Sequence, residues 1–351
     1  MGDQRDGGIA WTDETWGPVR GCSRVSEGCR NCYAERMAGR FSGRGGAYEG
    51  LVRMTSDGAR WTGTVRLVPE RLGDPLRWKR PRRVFVNSMS DLFHESLPFE
   101  HIAAIFGVMA VAPQHTFQVL TKRPERAAEF FAWLDAQDPV GRPLLEACAQ
   151  ALYAEARNHP DGASGPLHTK HCADPEGPWP LPNVWLGASV EDQRTADERV
   201  PALLRLPAAV RFVSYEPALG PVDFAHIEAE AEDGVSRMNA LFGESYGARV
   251  PTPMKSLDWI IVGGESGPSA RPFDIAWARQ AIAQCREAGV PVFVKQLGSV
   301  GVPGEYATLR RGRVAASRVI GGRWVRGKGE DPAEWPEDLR VREFPEVQRG
   351  A

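Results

Sequence analysis

Val84-Phe85-Val86-Asn87-Ser88-Met89-Ser90-Asp91-Leu92-Phe93 is a short apolar run that stops abruptly at polar residues. Its β-favouring start suits a strand covered on both faces, and the stretch from Glu100 to Ala112 suits a helix returning over it. The same alternation recurs along the chain. Phe117 to Thr121, Val184 to Gly187, Arg211 to Ser214, Trp259 to Gly263 and Val292 to Lys295 read as further strands. Helices fit between them at Pro124 to Ala136, Glu191 to Leu206 and Ile275 to Ala288. Repeated βα units predict an α/β fold with parallel strands, of the (β/α) barrel kind. In the last helix Ile275, Ala278, Ile282 and Cys285 share a face, so Cys285 reads as core.

Two segments interrupt the rhythm. Gln137 to Pro182 reads as an insertion with a short helix, and Ala225 to Lys255 as a shorter one. After Gly298 the chain is rich in Gly, Arg and Pro. The expected organisation is a barrel over residues 1–298, inserted at about 137–182, with residues 299–351 as an extension packed on it. The 351 residues allow one such domain, since barrels of ~250 residues fold as single units.

The 42% hydrophobic and 25% charged residues are ordinary for a globular protein. No apolar run approaches the ~20 residues of a membrane span. The polar, glycine-rich start from Met1 to Ala10 lacks a secretion signal, so the expectation is a cytoplasmic protein with no membrane partner. A net charge of −2 argues against a chain that is basic overall. Two stretches differ: nine Lys or Arg against three acids from Arg53 to Arg83, and seven against none from Arg310 to Lys328. They suit solvated surface, a small-anion site or a phosphate backbone.

Cys22, Cys29 and Cys32 lie within eleven residues at C-x6-C-x2-C spacing, while Cys148, Cys172 and Cys285 are scattered. Clustered cysteines of this kind are more often metal ligands than disulfides. A closed zinc site wants four ligands, and no partner pair completes one nearby. Three thiolates suit a [4Fe-4S] cluster whose fourth iron stays open to a ligand; zinc with a distant fourth ligand and no metal are the other readings. Gly21 and Gly28 suit a loop folded closely around an inorganic core. His168, His171 and Cys172 offer too few ligands for a second metal and read as an ordinary loop. Trp11, Trp16, Trp61 and Trp78 read as packing, with stacking on a base as the sharper role.

The opening Ile9-Ala-Trp11-Thr12-Asp13-Glu-Thr-Trp16-Gly-Pro18-Val-Arg-Gly21-Cys22 and Cys29-Arg-Asn-Cys32-Tyr33-Ala34-Glu35 resemble the phage Gp37/Gp68 (three-Cys-motif, DUF5131) family, found in phages and bacteria. The resemblance continues through Val84 to Phe93, Leu120 to Pro124, Leu186 to Glu191, Ser214 to Pro217, Gly263 to Gly267, Val294 to Gly298 and Trp335 to Arg340. That family in turn resembles radical S-adenosylmethionine enzymes, although the first cysteine gap here is three residues longer than their usual C-x3-C-x2-C. The resemblance implies a partial parallel (β/α) barrel with the cluster loop after its first strand. It also implies a [4Fe-4S] cluster and S-adenosyl-L-methionine as cofactors, with an external electron donor. The cofactor is cleaved to a 5′-deoxyadenosyl radical that abstracts hydrogen from substrate.

In a parallel barrel the working residues gather at the C-terminal ends of the strands. Polar residues recur there: Asn87, Ser88 and Asp91; Lys122 and Arg123; Ser189 and Glu191; Ser214 and Glu216; Gly264 and Glu265; Lys295 and Gln296. Helix caps and surface positions are the bland reading of each. Read together, they line one cofactor and substrate cavity. Under the resemblance, Tyr33, Asn87, Ser88 and Asp91 suit the methionyl end, with Asn87 or Ser88 accepting from its ammonium and Asp91 balancing the charge. Gly263-Gly264-Glu265 carries the letters of a motif that contacts the same amine. Ser189 joins the cofactor set; Glu191 and Glu216 suit ribose hydroxyls; Lys122, Arg271 and Lys295 suit a carboxylate or substrate anion. Glu216 and Lys295 are the candidates for catalysis.

The favoured reading is therefore a radical enzyme acting on a nucleobase or nucleotide in nucleic acid, with or without a partner protein. A non-catalytic nucleic-acid-binding protein with a structural zinc or iron-sulfur site is the alternative. A zinc hydrolase is third, since no H-E-x-x-H motif occurs among the seven histidines.

Overall fold

The computed structural model describes residues 9–137, 142–157, 179–231, 234–246, 254–267, 269–301, 307–310, 313–320 and 323–346. They form a mixed α/β fold on a seven-stranded parallel sheet. The chain divides into two compact units, Met1–Gly187 with Leu206–Ala209 and Ala188–Arg205 with Val210–Ala351.

The first unit begins with β1 (Glu14–Trp16) and β2 (Val19–Arg20). Next come α1 (Tyr33–Gly39), a hairpin of β3 (Val52–Thr55) and β4 (Gly58–Trp61), and β5 (Arg66–Leu67), which pairs with β2. Then follow β6 (Arg83–Val86), α2 (Phe99–Ala110), β7 (Thr116–Thr121), α3 (Pro124–Gln137), α4 (Arg142–Arg157) and the start of β8 (Val184–Val190). β6 pairs in parallel with both β1 and β7. The strand reading missed β1. Only Trp16 of its three residues is buried, so an edge strand this short leaves no apolar run to read. β6 ends at Val86, where Asn87 takes a left-handed backbone, φ 59°.

The expected insertion does carry a helix, α4, which packs on α2. Their approach requires Gly107, where a Cβ would lie 2.2 Å from the Leu145 carbonyl oxygen. His168, His171 and Cys172 lie outside the described residues.

The second unit takes the end of β8, then α5 (Gln193–Arg205), β9 (Val210–Tyr215) and a small antiparallel sheet of β10 (Ile227–Ala231), β11 (Gly234–Asn239) and β12 (Glu244–Tyr246). After it come β13 (Trp259–Gly263), α6 (Ile275–Ala288) and β14 (Val292–Gln296), then a meander of β15 (Ala307–Arg310), β16 (Arg313–Ile320) and β17 (Arg323–Arg326). Every residue of β8, β9 and β13 is buried, as parallel strands covered on both faces require. Cys285 is buried on α6, as its face predicted.

The main sheet runs β1-β6-β7-β8-β9-β13-β14, the sequential strand order that repeated βα units produce. The tail lies against β14: Val294 N donates to Val341 O at 2.8 Å and Glu343 N to Val292 O at 3.0 Å, with Trp335 and Leu339 fully buried. The division into units falls within β8. No helix among the described residues is long and apolar enough to cross a membrane.

Candidate functional site

The cysteine loop leaves β2 through Gly21, whose φ of +93° and position against the chain admit no other residue. A Cβ there would stand 2.1 Å from the Thr64 carbonyl oxygen. Gly21 also bridges to Ser90, so the loop starts between two fixed segments. Gly28 lies instead in a 3-10 turn, Glu27–Cys29, that returns the chain toward Cys32 and the start of α1.

The three thiols are half-buried, and Cys22 and Cys32 pack against Ala34, Ala38, Leu51 and Trp61. Burial pushes the Cys22 thiol up to about 12; Asp91 raises it further, Arg123 opposes, and Cys32 and Cys29 add to the rise. Burial likewise raises Cys32, against the amides of Glu35 and Ala34, with Cys29 pushing it higher. Among the described residues no three His, Cys, Asp or Glu side chains converge as ligands of a single ion. Soft sulfur donors whose ionisation is penalised until a cation arrives are nevertheless the donor set an iron-sulfur core takes. A mononuclear ion needs its ligands around one point; a cluster offers each thiolate its own iron.

A buried network fixes this loop. Asp91 accepts from Phe93 N (3.0 Å) and Thr121 Oγ1 (2.7 Å) on one oxygen, and from Lys122 N (3.0 Å) and Arg123 Nη1 (3.0 Å) on the other. With four donors its carboxylate is saturated, so Asp91 is a clamp between the ends of β6 and β7 and has little left to balance a ligand's charge. Arg123 also donates to Glu95 (2.8 Å) and to the Ser23 hydroxyl (2.7 Å), beside Cys22. Ser23 Oγ lies 2.9 Å from His94 Nε2. On the other side of the loop Arg24 grips buried Glu35, which also accepts from Trp61 N at 3.0 Å. The sequence reading omitted Ser23, Arg24 and Glu35 from the site and placed Arg123 only among the residues lining the cavity, not as the anchor of the cysteine loop.

Asn87 presents a donor where an acceptor was expected. Its Oδ1 accepts from Val19 N at 3.3 Å, which leaves Nδ2 buried with no hydrogen-bond partner. The Ser88 carbonyl oxygen accepts from the Tyr33 hydroxyl.

In the second unit the strand-end residues are largely engaged with one another. Glu191 forms a fully buried ion pair with Arg199 (3.1 Å), whose Nη1 also donates to the Ser189 carbonyl oxygen (2.6 Å). That closes Glu191 to ribose hydroxyls. The Ser189 hydroxyl donates to the Glu216 carbonyl oxygen at 3.1 Å. Glu265 is held by Arg271 through N (2.8 Å), Nε (3.0 Å) and Nη2 (2.9 Å), so each occupies the other. Gly264 is packing: a Cβ would meet Phe273 at 2.8 Å and Gly298 at 2.9 Å. The more open pair is Glu216 with Lys295, 2.9 Å apart, their side chains 13% and 24% exposed. Ser214 Oγ donates to the same carboxylate at 3.4 Å, and Gly263 leaves room for it, since a Cβ there would stand 2.4 Å from Glu216 Oε1.

Residues 6–327 match one family, described as "Protein of unknown function (DUF5131)". No curated protein and no solved structure matched the chain.

Proposed function

We propose that this chain, which belongs to the DUF5131 family, is a radical S-adenosylmethionine enzyme acting on a nucleobase or nucleotide of a nucleic acid. The observation that carries the reading is three half-buried cysteines, Cys22, Cys29 and Cys32, on one loop that comes soon after β1, the first strand of a sequentially ordered parallel α/β sheet. When bound, a [4Fe-4S] cluster would supply the electron that cleaves S-adenosylmethionine to methionine and a 5′-deoxyadenosyl radical, which takes a hydrogen atom from substrate.

Cys22, Cys29 and Cys32 would hold the cluster. Gly21 and the Asp91-Arg123-Ser23 network position the first ligand, and the Arg24–Glu35 pair fixes the start of α1 after the last. The unpaired Asn87 Nδ2 offers a buried donor to a carboxylate or carbonyl of the bound cofactor. Glu216 and Lys295 remain the proton-handling pair, with the ammonium at Nζ as donor and the carboxylate as acceptor.

The test is anaerobic reconstitution with iron and sulfide. About four irons and four sulfides per wild-type chain, with loss of the brown charge-transfer absorption in Cys22→Ala, Cys29→Ala and Cys32→Ala, is the expected result. One zinc per chain and no bound sulfide would contradict it.

A further inference from the structure

The helix after the cysteines is packed the unexpected way round. α1 turns Ala34, Glu35 and Ala38 inward against Leu51, Val52, Ala59 and Trp61. Its larger apolar residues face water: Tyr33 is 51% exposed, Met37 40%, and Phe41 just beyond the helix 54%. Met54, on β3 beside Gly39, is 67% exposed. Apolar side chains of this size gain by burial, and the fold leaves roughly half of their surface in water.

The charges around them are also unmatched. Residues 20–83 hold fifteen Lys or Arg against six acids, in a chain of net charge −2. Several of those arginines are paired, but among the described residues Arg36, Arg40, Arg44 and Arg53 have no ion-pair partner, and all four are exposed. On α1 and just beyond it the two features share one exposed face, Tyr33, Arg36, Met37, Arg40 and Phe41 following i, i+3, i+4 spacing, and on β3 Arg53 and Met54 are both exposed. A protein interface gathers its apolar residues at a core and sends charge to the rim. Guanidinium groups interspersed with exposed aromatic rings instead match a strand that repeats a phosphate and an unpaired base face. A duplex covers its base faces and gives Tyr33 and Phe41 nothing to stack on.

We propose that the face made by α1 and the β3–β4 hairpin is a binding surface for single-stranded nucleic acid. The phosphates lie on Arg36, Arg40, Arg44 and Arg53, and bases stack on Tyr33 and Phe41. As a binding surface this stands without a cluster; as the place where substrate is held it rests on the enzyme reading above.

The test is fluorescence anisotropy of the full chain with a labelled oligothymidylate of about 20 nucleotides, without cofactor or reductant. Failure here therefore leaves cofactor cleavage untouched, and the reverse also holds. Wild type should bind the single strand in preference to a duplex of equal length. Arg40→Glu with Arg53→Glu should weaken binding about tenfold or more and make the salt dependence shallower by about 0.7 per lost phosphate contact. Phe41→Ala should weaken it by stacking loss, with the salt slope unchanged. Photocrosslinking a thiothymidine strand to wild type, with peptide mapping, should label residues 25–54, and this reads the surface even where a variant fails to fold. No binding by wild type, equal binding by the arginine variant once its melting curve matches, labelling elsewhere, or equal competition by polyglutamate each overturns the proposal; the last would point to an acidic protein partner.

Discussion

Arg123 Nη2 donates to Ser23 Oγ at 2.7 Å, across a hundred residues of sequence, and so ties the residue after Cys22 to the end of β7. The same guanidinium is buried against Asp91 at 3.0 Å, which couples the Cys22 end of the cysteine loop to a buried ion pair.

Arg123→Ala should therefore strip Asp91 of a partner and cost about 3 kcal/mol or more in urea unfolding, the scale for breaking a buried pair. The variant should also take up less iron on reconstitution. Arg123→Lys restores charge but not the fork to Asp91, Glu95 and Ser23, so recovery should be partial.

Gly21→Ala combines a disfavoured φ with a Cβ against the Thr64 carbonyl. Strain of this kind costs about 1–3 kcal/mol before the clash is counted. Differential scanning calorimetry should find a lowered Tm. Gly28→Ala should be milder, since its backbone is not left-handed.

Lys295→Met should separate the two halves of the reaction. Removing Nζ from Glu216 leaves the cysteine loop intact, so 5′-deoxyadenosine formed without substrate should continue while substrate conversion falls about 10²-fold or more, the scale of general acid–base catalysis. Gly263→Ala, which pushes a methyl group against Glu216, should act in the same direction.

Burial, aided by Arg123, holds the imidazole of His94 below its ordinary value of 6.5, so the unfolded chain binds that proton more readily than the folded one. The stability at stake is full above 6.5 and declines as pH falls below it, until the folded ring also protonates. The urea midpoint should drop between pH 7.5 and 5.5, and His94→Gln should flatten that slope in part. A share remains because burial depresses His115 in the same direction.

What could be read from sequence was what lies contiguous in it. β8, β9 and β13 are buried on both faces and so appear as apolar runs, and the three cysteines announce themselves by spacing. Pairings across the chain left no such mark. Asp91 and Glu191 look like exposed strand-end acids until Arg123 and Arg199 are seen to neutralise them. Glu265 looks like a cofactor ligand until Arg271 folds back on it. Gly263 carries the first letter of an amine-contacting motif, although its missing side chain is the space Glu216 occupies. Tyr33, Met37 and Phe41 have the spacing of a buried stripe; only the inward turn of Ala34 and Ala38 shows which side α1 packs on.

The most direct measurement is chromatography for 5′-deoxyadenosine after anaerobic incubation of the reconstituted protein with dithionite and S-adenosylmethionine, run beside Cys32→Ala. Formation by wild type and none by the variant is the predicted result. A fully loaded, reducible cluster that leaves S-adenosylmethionine intact would contradict the account.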